Sequence, residues 1–286
     1  MSAEANPGQQ LAFDAMPKRF FACTPSRLAS FDCPRRYRMS YLDRPTPSRG
    51  APWAHNTVGA VVHLALHRWW QLPRSGRTPD QGGALVERNW QSDGFRDDDQ
   101  SGVWRGRARE WVRRYLDALD PDQEPVGVER TVAMTTAQLA VSGRVDRIDD
   151  REGELVIVDY KTGRRVPEAS DAASSQALAL YALGAARTMR RTCVRVELHH
   201  LPSSTVASYE HSPESLARHV ARAEASAQDI TAATDTYESG ARADDVFPPD
   251  PGPGCSWCDF RKHCPEGRSA STERASWDLV ADASQH

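Results

Sequence analysis

Residues 155–158 read Leu-Val-Ile-Val, four apolar side chains with no polar residue between them. Side chains alternate across a strand, so a run of this kind is a strand covered on both faces. It predicts a sheet with helices packed over it. The hydrophobic period changes on either side of the run. Residues 125–134, 139–149 and 153–161 read as three strands, with Asp149–Gly153 as the turn between the last two. Ahead of them, Val58, Val61, Val62, Ala65, Leu66 and Trp69 recur at helical spacing, with Asn56 or Thr57 as cap, and further helices are expected near 80–92 and 101–119. Behind them come a helix over 171–190, strands over 193–201 and 204–210, and a helix over 213–236. The order is that of an α/β core with one meander rather than a doubly wound repeat.

Composition limits what such a chain does. At 39% hydrophobic and 26% charged residues in 286, one sizeable core is affordable. A net charge of −3 excludes a basic nucleic-acid coat and leaves room for a local basic groove. Residues 1–50 hold eight Arg or Lys against four Asp or Glu, which marks the segment around Arg27, Arg35 and Arg36 as a candidate anion-binding face. The longest apolar run, Ala177 to Ala186, is half of the roughly 20 residues that a membrane span needs. The start, MSAEANPGQQ, lacks a secretory pattern. The expectation is cytoplasmic, with six cysteines that do not form a disulfide framework. Residues 1–18 are polar and read as a loose N-terminus, 267–286 as a polar tail.

Only Lys18, Lys161 and Lys262 of the 36 basic residues are lysines. Lys161 follows Asp159 and Tyr160 at the end of the apolar strand. Asp159 and Lys161 share one face there, and Tyr160 points away. Asp146, in GRVDRID on the preceding strand, is expected across from Asp159. Two carboxylates at that distance repel, and a divalent cation relieves the repulsion. Oxygen ligands indicate Mg2+ or Mn2+ rather than zinc. Such a group suits phosphodiester hydrolysis; a plain salt bridge between Asp159 and Lys161 explains the tripeptide equally well. His63, on the first long helix, adds a candidate ligand. His63 and His67 have a zinc-pair spacing, but HLALH lacks the glutamate of that motif.

The cysteine pattern is Cys255-x2-Cys258-x5-Cys264, with Cys33 far upstream, and both Cys33 and Cys264 precede proline. No second C-x2-C knuckle is present to complete a zinc ribbon. A [4Fe–4S] cluster with one remote ligand fits better. It would clasp the two chain ends, closing a loop whose entropy is worth about 5 kcal/mol. Cys23 and Cys193 read as small buried thiols.

The order CTPSRLASFDCPRRYRMSYLD, GAVVH, GRVDRID, VDYKTG, Gln176 to Tyr181, then C-x2-C-x5-C-P resembles the RecB-like branch of the PD-(D/E)xK nuclease superfamily. It looks most like the iron–sulfur members related to AddB-type and CRISPR-associated adaptation nucleases. The resemblance spans residues 21–265 and implies a restriction-endonuclease-like αβββαβ core with added helices and an iron–sulfur clasp, in one nuclease domain over 19–266. It implies that His63, Asp146, Asp159 and the Tyr160 carbonyl hold the metal. Lys161 would be catalytic with the two acids, Gln176 and Tyr181 would support the lysine and the DNA backbone, and Cys33, Cys255, Cys258 and Cys264 would ligate the cluster. Glu129 matches as an accessory acid. Gln176 and Tyr181 stand five apart where the family more often has four. The implied activity is a metal-dependent deoxyribonuclease, exonucleolytic on single-stranded or end-exposed DNA, in repair or processing. Arg27, Arg35, Arg36 and the arginines of 105–114 are then candidate DNA contacts. No P-loop is present, so any helicase is a separate partner. The rival readings are a catalytically silent DNA-binding module bracing a helicase and a zinc-bound nucleic-acid-binding scaffold.

Overall fold

The structure is a computed structural model that describes residues 20–280. The loose N-terminus expected over 1–18 lies outside the described residues.

A six-stranded mixed sheet is the centre of the molecule. Its strands are β1 (Phe21–Cys23), β2 (Gly127–Thr135), β3 (Leu139–Arg151), β4 (Glu154–Lys161), β5 (Cys193–His200) and β6 (Thr205–Glu210). The order is β1-β3-β4-β5-β6, with β2 also paired to β3. β2–β3–β4 is an antiparallel meander, β4 and β5 are parallel, and β1 lies parallel to β3. The parallel step needs a crossover, and α6 (Ala169–Ser174) and α7 (Gln176–Met189) supply it.

The apolar run of β4 is covered on both faces. Val156 and Val158 pack with Tyr160 into a core formed by α3 (Ala54–Trp70), α4 (Pro79–Arg88) and α5 (Asp98–Asp117). Leu155 and Ile157 pack against Leu178, Ala182 and Ala185 of α7. A third core gathers Leu28 of α1 (Pro25–Ala29), Tyr37 of α2 (Pro34–Tyr41), and Ala223, Ala227 and Ile230 of α8 (Pro213–Glu238). The short α9 (Ala243–Val246) and α10 (Pro265–Ala270) complete the helices.

Three expectations need correction. The cap of α3 is Trp53, not Asn56 or Thr57; the Thr57 hydroxyl is spent on the Asp93 carbonyl at 2.9 Å. The helix over 171–190 is two helices, because Ser175 is extended (φ −68°, ψ 103°) and caps α7 by accepting from the Leu178 amide. The tail beyond 266 is not all surface: α10 occupies 265–270, and Val280 is buried, its carbonyl accepting from Trp104 Nε1 at 2.9 Å and Gln100 Nε2 at 3.3 Å. Those two donors come from α5, far away in sequence, and local polarity does not report them. Among the described residues no helix is long and apolar enough to cross a membrane.

Candidate active site

The β3–β4 ladder reaches Arg147 opposite Val158 and stops there. One step further Asp146 stands across from Asp159, as the sequence register predicts. The strands open at this point, and the Tyr160 amide donates to Asp146 Oδ2 at 2.8 Å instead of to a main-chain carbonyl. Helix α3 closes the opening. His63 places Nδ1 3.2 Å from Asp146 Oδ1 and Nε2 3.2 Å from the Tyr160 carbonyl. Both ring nitrogens thus face acceptors. Burial works against charging the ring, but the hydrogen bond and charge of Asp146, with Asp159 and Glu129, prevail and raise its pKa above the ordinary value.

Lys161 Nζ lies 2.6 Å from Asp159 Oδ2. Burial raises the Asp159 carboxyl above the usual carboxylate range; Lys161 opposes that rise and Asp146 adds to it. Glu129 joins the group from β2, since the β2–β3 register sets it opposite Asp146. Among the described residues, His63, Glu129 and Asp146 are the one set of three His, Cys, Asp or Glu side chains whose ligand atoms all lie within 4.8 Å of one another. An imidazole nitrogen, clustered carboxylate oxygens and a main-chain carbonyl make a donor set suited to a hard divalent cation. The cleft above them is also lined by Gly59, His67, Gly143, Arg144 and Tyr181. His67 is turned toward Gln71, with Nε2 3.0 Å from its amide nitrogen.

Of the helix pair, only Tyr181 reaches this cleft. Its ring lies over Gly143, where a Cβ would come within 2.4 Å of Tyr181 Cε1. Burial, then Asp159 and Asp146, raises its phenol pKa. Gln176 is the first residue of α7 and donates to the His219 carbonyl of α8 at 3.4 Å. Five residues apart on one helix, Gln176 and Tyr181 stand about 140° apart around its axis, and Gln176 faces α8.

The expected arginine face is largely committed within the chain. Arg35 is buried, its guanidinium 2.5 Å from Glu266 and 3.1 Å from Asp244. Arg27 bonds the Tyr37 hydroxyl and stacks over Phe21, Tyr37 and Tyr41. Arg36 pairs with Asp32. On α5, Arg109 meets Glu87, Arg113 meets Asp80 and Glu110, and Arg114 bonds carbonyls of Leu201 and Pro202. A charge count could not anticipate these pairings; apart from Asp32 and Glu110, which are local, the partners come from other elements.

Cys33, Cys255, Cys258 and Cys264 line one cavity between α2 and the C-terminal turns. The Asp250 and Gly252 amides donate to the sulfurs of Cys33 and Cys255, both at 3.5 Å. Cys264 Sγ accepts from the Gly267 amide at 3.4 Å and Arg35 Nη1 at 3.6 Å. A Cβ at Gly267 would press on the sulfurs of Cys255 and Cys264 at 3.3 and 3.4 Å. The Phe260 main chain bonds the Cys258 sulfur, and donors directed at the sulfurs, with glycine where a side chain would crowd them, suit thiolates holding an inorganic group. No three of these sulfurs lie within 4.8 Å of one another.

Sequence reasoning missed a buried network beneath the site. Arg147 bonds Asp149, Tyr115 and Tyr160; His199 bridges Tyr115 to Glu197; Arg151 pairs with Glu197. The alternation of Arg147, Asp149 and Arg151 was its only local trace.

A family model described as the PD-(D/E)XK nuclease superfamily matches residues 22–265. A search of curated proteins found no match. Among solved structures, a crystal structure from Eubacterium rectale, provisionally named an exonuclease, is similar, with TM-score 0.50 and 13% identity over 96% of this chain and 99% of that one. At that identity the likeness concerns the fold.

Proposed function

The chain belongs to the PD-(D/E)XK nuclease superfamily, and from that premise we propose that it is a metal-dependent deoxyribonuclease. Our reading is an exonuclease of single-stranded or end-exposed DNA, working in DNA repair or processing beside a separate helicase. It belongs, in this reading, with the RecB-like iron–sulfur members related to AddB-type and CRISPR-associated adaptation nucleases, and residues 19–266 are its nuclease domain. The observation that carries the proposal is the meeting of His63, Asp146, Asp159 and Lys161 where β3 and β4 part.

His63, Asp146, Asp159 and the Tyr160 carbonyl would hold Mg2+ or Mn2+. When bound, such a cation offsets charge on the phosphate and makes a water molecule more acidic. The remaining work belongs to the chain. Asp146 fixes the main chain of Tyr160 and the ring of His63 together. The Lys161 ammonium, held by Asp159, stabilises negative charge that develops as water attacks phosphorus in line with the leaving oxygen. Tyr181 forms the wall along which the DNA backbone passes.

We assign the cysteine cavity to one [4Fe–4S] cluster. A single tetrahedral zinc, with bonds of about 2.3 Å, brings its sulfurs to about 3.8 Å from one another. The Cys255-x2-Cys258-x5-Cys264-Pro run with one remote cysteine, and no second C-x2-C knuckle, supports a polynuclear occupant.

The test uses anaerobically purified protein and single-stranded DNA labelled at the 5′ or the 3′ end, with Mg2+, Mn2+ or EDTA. Cleavage that needs the cation, is lost in Asp146→Asn and shortens the strand from one end is the expected result. Binding without cleavage under every cation condition refutes the hydrolase reading.

A further inference from the structure

Glu129 stands out in its backbone and in its partner. It sits in the middle of β2 at φ +49°, a left-handed conformation that is strained for a non-glycine residue. Its neighbours Val128 and Arg130 keep their pairs with β3, so the strain is confined to this residue. Its carboxylate lies within the 4.8 Å group formed with His63 and Asp146. That same carboxylate is held by Arg144, with Nε 2.7 Å from Oε2. Arg144 is the more exposed partner by far, 71% against 18% for the side chain of Glu129. Both line the cleft.

A carboxylate shared between a guanidinium and a cation site has two occupants competing for its charge. We propose that the Glu129–Arg144 ion pair is an exchangeable latch across the cleft. A divalent cation takes Glu129 as a further ligand and weakens its hold on Arg144. The released guanidinium then contacts a DNA phosphate, whose two non-bridging oxygens its planar fork of N–H donors can meet together. Cation and single-stranded DNA therefore bind cooperatively, each favouring the arrangement that suits the other. Arg144 is a substrate-positioning residue that precedes Asp146 by two positions on the same strand face, so its reach and the cation site are built on one rigid element.

This inference rests on the nuclease reading of the same cleft, and its test measures binding rather than cleavage. Mn2+ affinity of the full chain is measured by calorimetry for the wild type, Glu129→Gln, Arg144→Ala, the double variant and Asp146→Asn. Glu129→Gln is expected to weaken Mn2+ binding about tenfold or more. Arg144→Ala removes the competitor and is expected to tighten it about fivefold. The double variant should match Glu129→Gln, because the latch acts only through that carboxylate. Affinity for a short fluorescent single-stranded oligonucleotide, read by anisotropy in a Lys161→Ala background, should rise with Mn2+ and lose that rise in Arg144→Ala. If Asp146→Asn loses Mn2+ while Glu129→Gln keeps it, the latch is wrong and the cation site stands. Arg144→Ala with unchanged Mn2+ affinity overturns the latch in the same way. If Asp146→Asn binds Mn2+ as the wild type does, the cation site and the latch fall together.

Discussion

Lys161 is one of three lysines in a chain that otherwise uses arginine for positive charge. Its ammonium is a compact charge on a flexible stem, held 2.6 Å from the half-buried carboxylate of Asp159. A guanidinium spreads the same charge over a plane and cannot take the same position between Asp159 and an attacked phosphate. Lys161→Ala is expected to lower kcat roughly 10²–10³-fold with an unchanged circular dichroism spectrum and melting temperature, since the side chain is about half exposed. Lys161→Arg should recover only a small part of that loss. Full activity in either variant would remove Lys161 from the mechanism. The residue scale is also where the sequence was most legible. Asp146, Asp159 and Lys161 were readable as neighbours because strand alternation and register are local rules, and those rules hold in β3 and β4; no such rule places His63, which comes from α3. Gln176 was not readable either, because its five-residue spacing from Tyr181 sets it on another side of α7, facing α8.

At the scale of elements, β5 shows how a strand with charged and polar residues can be central. Glu197 and His199 face the layer of α3 and α5, and Glu197 is almost wholly buried. Burial alone would raise its pKa; the hydrogen bonds from His199 and Arg151 and their charges outweigh it and bring the carboxyl down to about 2. A carboxyl with a depressed folded pKa stabilises the fold above its unfolded value and loses that contribution as pH falls toward the folded one. The window runs from about 4.5 down to about 2, with a contribution on the order of 2–3 kcal/mol. Urea unfolding of the wild type should therefore weaken more steeply over that window than unfolding of Glu197→Gln. The variant should be the less stable of the two at neutral pH, where Arg195 loses the charge of its partner and Arg151 keeps only Asp149. Parallel pH profiles would show that the ion pairs contribute nothing net. Alternation identified β5 as a strand, but only packing shows that its polar residues face inward onto Arg147 and Tyr115.

At the scale of the whole molecule, two long-range closures tie the chain ends to the core. One is the segment 275–280. Ala54 donates to the Ser276 carbonyl at 3.1 Å, and Trp104 and Gln100 donate to the Val280 carbonyl. Deleting 275–286 leaves these donors without partners, at about 1–3 kcal/mol for each buried one. A fall in melting temperature of at least about 5 °C is expected; an unchanged value would mean the segment is passive. The other closure is the cysteine cavity, which joins α2 to the turns around residues 253–264. Anaerobic protein should be brown, with broad absorption near 400 nm and about four irons per chain. Cys33→Ser should lose the colour and lower the melting temperature, because metal binding there is folding energy. Stoichiometric zinc without iron in freshly purified protein would refute the cluster.

The amino-acid sequence by itself determined the meander, the apolar central strand, the acid and lysine at its end and the spacing of the cysteines. Each follows from alternation, helical period or ligand chemistry, which act over a few residues. The tertiary structure alone decided which arginines are free, where α7 begins, that Glu129 meets His63 and Asp146, and that residues near 280 are core. Those outcomes depend on which distant donor or carboxylate arrives beside a side chain, and the partners lie tens to hundreds of residues away along the chain.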